Sequence, residues 1–428
     1  MNPAAQEIGS DNRKPRRRAN VRLAFFITPL LIGVSSLCIA RQTLPNTQFS
    51  IDGKVRLDGS SGLREAYLPV LFPSSHASNL LLLRNGDLLC AWFSGTREGA
   101  SGVAILLSRL KHGSDQWSAP VVVDRQEGRS FQNPVLFEAP DGKLWLFHSS
   151  QEADRGEANA MILYLTSVDG GTTWSAPKPL FTKPGSFDRQ PLVILPNGDW
   201  LLPMYYASGG QKLPSGVFPD HPAMQISSNR GATWKEFAVH DAQGLVQPIV
   251  LHLHPQRTSR APAAPGFVAF FRSRAADWIY RSTSPDGYNW SAPIRTPLPN
   301  NNASIGAAVL KDGRIVMVFN NCNASDAHGP AGKPPRKPLT IALSADAGIT
   351  WPWVRDIQTG NEPGAGQAAG SDEYSYPSIV QSPDESLYLT YTFRRLTVKY
   401  VVFDEPWIER GGTIGRYQSS AARSVEKH

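Results

Sequence analysis

Six polar residues stand at equivalent places along this 428-residue chain. They open the stretches His76-Ala77-Ser78, Asn133-Pro134-Val135, Gln190-Pro191-Leu192, Gln247-Pro248-Ile249, Asn302-Ala303-Ser304 and Tyr376-Pro377-Ser378. An apolar run follows each. The second members fall at 77, 134, 191, 248, 303 and 377, in steps of 57, 57, 57, 55 and 74 residues. The longer last step leaves room for a loop over residues 361–372. Brought around one axis in one register, His76, Asn133, Gln190, Gln247, Asn302 and Tyr376 form a ring of hydrogen-bonding groups. Such a ring suits a sugar, which offers many hydroxyls. The competing reading is that the ring satisfies buried backbone groups and water. Tyr376 and His76 add groups able to exchange protons.

Two further patterns say what elements carry these residues. Each apolar run ends in a turn: Asn85-Gly86, Asp141-Gly142, Asn197-Gly198, Asp312-Gly313 and a worn Pro383-Asp384. In the fourth unit a Pro-rich insertion, 254–266, takes that place. A second apolar strand follows the turn. Between these units a short box recurs: Ser167 to Trp174, Ser227 to Trp234, Ser284 to Trp290 and Ser344 to Trp351, with a worn copy from Ser108 to Trp117. The five Trp are 57, 60, 56 and 61 residues apart. A hairpin explains the box. Its Asp or Asn bonds backbone N–H groups in the turn, Gly supplies φ > 0, and Trp packs back on the sheet.

The boxes resemble the Asp-box (BNR) repeat of the sialidase superfamily, and the resemblance covers most of residues 65–410. It implies an all-β, six-bladed β-propeller, in which the first strand of each blade lines a central channel. An N-terminal strand near Tyr67–Phe72 is expected to complete the last blade, since closure hides sheet edges. Residues 41–410 then form one domain and 411–428 a tail.

The resemblance also implies a site. Sialidases use three Arg to grip a carboxylate, a Tyr nucleophile, a Glu that activates it and an Asp acid/base. Tyr376, eight residues before the last turn, corresponds to the Tyr, with Tyr374 close by. Arg272 corresponds to the second Arg and Arg336 to the third. Two family residues are absent. His76 stands where the first Arg is expected, and Gln247 where the activating Glu is expected. Glu98, in Gly95-Thr96-Arg97-Glu98-Gly99, is the carboxylic acid placed to serve as acid/base, provided burial raises its pKa. Arg97 either replaces the missing Arg or pairs with Glu98. Arg189 adds positive charge near the rim. The chain is therefore similar to a divergent sialidase-like branch.

Three functions fit these residues. One is an exo-α-sialidase-type hydrolase on an acidic sugar, with Tyr376 as nucleophile or stabiliser and Arg272 and Arg336 as the carboxylate clamp. Another is a uronate lyase using Tyr376 and His76. The third is a non-catalytic carbohydrate-binding propeller. No cofactor is expected. There is no metal-ligand cluster, no phosphate-binding Gly loop and no Ser/His/Asp arrangement, and His252 and His254 read as strand residues. Cys90 and Cys322 read as buried thiols or, outside the cytosol, as a bridge.

Composition bounds the rest. Charged residues are 18%, Gly and Pro number 36 and 35, and 11 Trp are present, a balance that favours β-structure over helix. The net charge is +7, but residues 1–22 hold six Arg/Lys against two acids. The remainder is only mildly basic, which argues against nucleic acid. Residues 23–40 carry no charge. After the basic stretch 1–22 they read as a signal peptide or membrane anchor helix. The expectation is a monomeric propeller on the extracytoplasmic side, held there by this segment or secreted after its cleavage.

Overall fold

The computed structural model of the chain describes residues 49–59, 61–253, 266–327, 333–360 and 372–411. The expected basic tail and anchor (1–40), the Pro-rich insertion, most of the loop 361–372 and the tail beyond Gly411 lie outside them. No helix among the described residues is long and apolar enough to cross a membrane.

The described chain folds into six antiparallel sheets. Blade 1 consists of Ser74–Leu82, Leu88–Gly95, Ala104–Leu110 and Val121–Asp124. Blade 2 consists of Arg129–Glu138, Leu144–Glu152, Met161–Ser167 and Lys178–Phe181. Blade 3 has a split inner strand, Ser186–Asp188 and Val193–Ile194, then Trp200–Tyr206, His221–Ser227 and Lys235–Ala238. Blade 4 is Leu245–His252, Phe267–Ser273, Trp278–Ser284 and Ile294–Pro299. Blade 5 is Gly306–Val309, Ile315–Asn320, Leu339–Ser344 and Trp353–Gln358. Blade 6 is Tyr374–Gln381, Leu387–Phe393 and Thr397–Phe403. Its outer strand comes from the other end of the chain: Arg64–Tyr67 pairs with Thr397–Phe403, and Arg56–Leu57 pairs outside it. This is the expected closure, with the strand a few residues earlier than read from sequence. Leu68 N–H still donates to the Val398 carbonyl at 2.9 Å, and residues 69–72 lie beyond the strand.

The core is divided among the blade interfaces. Six apolar clusters lie between neighbouring blades, one at each junction, including the 6–1 junction where Trp92 and Trp117 meet Tyr400. Each fully buried Leu or Phe in them contributes about 1.5–3 kcal/mol. Cys90 and Cys322 are buried free thiols and form no bridge. His252, at the end of its strand, stacks on Phe267 with ring centroids 4.6 Å apart.

The boxes build the hairpins that position these interfaces. Asp169 Oδ1 accepts from the Thr172 and Thr173 N–H groups at 3.0 and 2.9 Å, and Ser167 Oγ accepts from Gly171 N–H at 2.9 Å. Ser344 and Asp346 repeat the pattern. Gly348 has φ 82°, and a Cβ there would meet Phe270 Cζ at 2.3 Å. Phe270 belongs to blade 4, the box to blade 5. The box therefore packs onto the preceding blade, as Trp351 also does in stacking edge-on to Phe270. This places the box Trp at a junction between sheets and not on its own sheet alone.

Candidate active site

The ring of opening residues is built on a repeated bulge. In four inner strands two residues oppose one on the neighbouring strand, with the register shifts at His76/Asn79, Gln132/Val135, Val246/Ile249 and Ser375/Ser378. The first bulged residue is left-handed: Ala77, Asn133, Gln247 and Tyr376 have φ of 58°, 48°, 52° and 55°. Asn302 has φ 60° at the matching place in blade 5. The residue that follows is Pro in three of the four bulges, where a missing N–H costs no ladder bond. The expected equivalence fails by one residue in blade 1. Ala77 occupies the bulge, and His76 aligns with Gln132, Val246 and Ser375. Side chains alternate along a strand, so this one-residue difference changes what His76 faces.

Most of the ring ties blades together. Asn133 Nδ2 donates to the Asp188 carbonyl at 3.0 Å, and Gln190 Nε2 donates to the Ile305 carbonyl at 2.9 Å. Asn302 Oδ1 accepts from Arg272 Nε at 2.8 Å. Gln247 is buried among these groups. Tyr376 is different. A bulky side chain in the left-handed region costs on the order of 1–3 kcal/mol, and its ring is surrounded by cations. The Arg189, Arg336 and Arg272 guanidinium groups lie 5.2, 5.4 and 5.8 Å from the ring centroid.

One hydrogen bond defines the chemistry. Arg272 Nη1 donates to Tyr376 Oη at 2.7 Å. A guanidinium has no acceptor, so the phenol oxygen must accept and its own proton must point elsewhere or be lost. Burial pushes the phenol up, but Arg272 and Arg336 outweigh burial and hold it below the ordinary value. These two guanidinium groups favour the phenolate, while the carboxylates of Glu98 and Glu157 oppose it.

Sequence reasoning missed two residues of this cluster. Glu373 lies three residues before Tyr376 and bridges two arginines: Oε1 accepts from Arg336 Nη1 at 2.5 Å, Oε2 from Arg395 Nε at 2.9 Å. Burial raises its pKa, yet Arg336 and Arg395 prevail and bring it to about 2. Arg395 sits in the turn after Leu387–Phe393, close to the place Arg272 holds in blade 4. A signal existed: Arg272 lies within, and Arg395 just beyond, an aromatic strand that opposes an inner bulge. His76 packs against Tyr376 with ring centroids 4.2 Å apart, and its Nδ1 bonds Thr392 Oγ1 at 2.8 Å. Glu373 is 3.6 Å from that Nδ1. Burial and the fields of Arg395, Arg336, Arg189 and Arg272 nevertheless hold the imidazole well below its usual value, so it is neutral.

Other expectations are corrected. Glu98 is exposed, its side chain 41% accessible, and bonds Arg395 Nη1 at 2.7 Å; the turn after Leu88–Gly95 does not bury it. Arg97 is more exposed still. It pairs with Asp154 at 2.6 Å and so neither grips the site nor pairs with the Glu98 carboxylate. Arg189 is fully buried at the axis and is not a rim charge. Tyr374 lies in the apolar junction of blades 5 and 6, against Phe393. Simple alternation would put Tyr374 and Tyr376 on one face; the left-handed bulge that begins at Tyr376 separates them.

The sequence model of the BNR repeat-like domain family matches residues 86–389, which span all six blades. The chain belongs to this family. It is 23% identical, over 453 aligned positions, to a sialidase of Micromonospora viridifaciens. The alignment covers 92% of this chain and 61% of that protein, so the chain spans under two thirds of the curated relative. The fold resembles the intramolecular trans-sialidase of Ruminococcus gnavus, solved with oseltamivir carboxylate, with TM-score 0.60, 14% identity, and 84% and 99% of the two chains covered. It also resembles the NanB sialidase of Streptococcus pneumoniae, with TM-score 0.61, 13% identity, and 84% and 71% covered. At these identities the family members share the propeller. The residues at the channel must speak for the chemistry.

Proposed function

We propose that this protein is a sialidase-like glycoside hydrolase acting on an acidic sugar. The observation that carries this reading is Tyr376 Oη accepting from Arg272 within a cluster that also holds Arg336 and Arg395. Two or three converging guanidinium groups suit a planar carboxylate. Tyr376 then acts as nucleophile or as electrostatic stabiliser of the oxocarbenium-like transition state. In this reading Arg272 favours the phenolate, a task assigned in the family pattern to the Glu that Gln247 replaces. Glu98, exposed and bonded to Arg395 Nη1, helps to orient that guanidinium at the mouth. The propeller works as a monomer outside the membrane, carried there by residues 1–40.

The His76–Tyr376 contact favours a second reading, a uronate lyase. There a Tyr376 phenolate removes the proton next to the carboxylate, and neutral His76 assists. The two readings are separated on sialosides and uronic-acid polysaccharides. Release of free acidic sugar supports the hydrolase, and an unsaturated product with new ultraviolet absorbance supports the lyase. Under the hydrolase reading, Tyr376→Phe lowers kcat about 100-fold or more. Unchanged turnover in Tyr376→Phe sinks the proposed site, and binding without turnover in the wild type points to a lectin-like propeller.

A further inference from the structure

Arg189 comes from blade 3, on the far side of the channel from blade 6. Its fork reaches both neighbouring bulges there. Nη2 donates to the carbonyls of Tyr376 and Pro377 at 3.0 and 3.3 Å. Nη1 donates to those of Ser78 and Ala77 at 3.0 and 3.3 Å. Nε donates to Ser304 Oγ at 3.1 Å. The acceptors are the two bulged residues of blade 6 and the two of blade 1, whose place in the ladder the bulge disrupts. The guanidinium is 2% exposed, so water does not compete. The neighbouring Asp188 carboxyl turns instead to Ser149 Oγ.

We propose that Arg189 is a positioning residue: by gripping both bulges it holds Tyr376 left-handed, against Arg272 and beside His76. This deepens the reading of Tyr376 as the reacting group and rests on it. Closing the ring does not by itself require Arg189. Blades 6 and 1 are already joined by an apolar cluster, by the Arg64–Tyr67 strand and by the bonds Ser78–Thr390, Leu80–Ser378 and Ala77–Thr392. A buried charge answered by neutral carbonyls is an expensive way to add one more tie. What the planar fork supplies is a fixed separation between two bulges, one bearing Tyr376 and the other following His76. Lys, a single point of three donors, cannot reproduce it.

The test uses the full chain with tyrosine labelled by carbon-13 at Cζ, in wild type, Arg189→Met and Arg189→Lys. One of the 12 tyrosine signals is assigned to Tyr376 by its loss in Tyr376→Phe. In Arg189→Met the Tyr376 signal is expected to move, and its titration midpoint to rise by about one pH unit as the phenol leaves Arg272. Arg189→Lys is expected to restore melting temperature better than it restores that midpoint. On whatever acidic glycoside the wild type cleaves, kcat falls about 10- to 100-fold with KM nearly constant. A lower melting temperature with the Tyr376 signal and midpoint unchanged overturns the proposal. Should Arg189→Met not fold, Ser304→Ala, which removes the Nε partner of Arg189 and leaves Gln190 Nε2 its Ile305 acceptor, is expected to shift the same signal by a smaller amount. An unmoved signal there overturns the proposal equally. A wild type that cleaves no acidic glycoside defeats the proposed activity, yet the Tyr376 signal still decides the role of Arg189.

Discussion

Two buried carboxyls in and near the site carry opposite pH signatures. Glu373 has its folded pKa brought to about 2 from 4.5, so its ionised form stabilises the fold. That contribution is present above pH 4.5 and is lost as pH falls through about 2. The shift corresponds to about 3 kcal/mol. Glu373→Gln is therefore expected to lower stability near pH 7 by about that amount. The gap to wild type should close between pH 4.5 and 2, as read by denaturant titration at several pH values. Asp188 behaves in the other sense. Burial raises its pKa from 3.8 to about 7, against Ser149 and Arg189. A raised acid favours the fold below pH 3.8, and the advantage is lost as pH rises toward 7, by up to about 4 kcal/mol. Asp188→Asn should accordingly stabilise the protein at pH 8 and change little at pH 4, measured by melting temperature. A larger gain at pH 4 than at pH 8 would contradict the assignment. Glu373 was not legible in sequence because its partner Arg395 lies 22 residues away, across a strand and a turn.

At the scale of the element, bulge and box are both local sequence devices with distant consequences. The bulge is written as a polar residue before Pro in blades 2, 4 and 6, where the ring residue expected from the sequence is the first bulged residue. Blade 1 has Ser78 in place of Pro, so nothing in the sequence marks Ala77, and not the polar His76, as the first bulged residue. Only the pairing His76 opposite Phe93 and Asn79 opposite Ala91 decides for Ala77. In the box, Gly348 has two reasons to be glycine: a φ of 82° and the Phe270 ring of the preceding blade. Gly348→Ala is expected to cost about 2–4 kcal/mol, strain and overpacking together. Gly142→Ala is the control. It has φ 83° and open space around it, and is expected to cost about 1 kcal/mol, backbone strain alone. Equal losses in denaturant midpoints would show that the inter-blade contact does not matter.

For the whole molecule, closure depends on a strand supplied from the other end of the chain. Glu65 pairs with Lys399 at 2.6 Å, and Tyr67 stacks with Phe49 and meets Phe393 edge-on. Removing residues up to 72 should leave Thr397–Phe403 as an open edge. The expected outcome is loss of a single cooperative melt and association seen by sedimentation. A monomeric truncation that melts as the full chain does would refute strand closure as the lock. The number of blades, their order, the boxes and the position of Tyr376 and Arg272 were determined by the sequence alone. They follow from periodicity and turn chemistry, which act between near neighbours. The tertiary structure decided the rest. It buried Arg189 at the axis, left Glu98 and Arg97 in solvent, turned Tyr374 into a junction and brought Glu373 and Arg395 to Arg336 and His76. These outcomes depend on which side chains meet across the channel, and that distance is set by ring closure. The ring of six polar residues first read from the sequence becomes, in the folded chain, mostly the bonds between blades. One member, Tyr376, is held among arginines as the group poised to react.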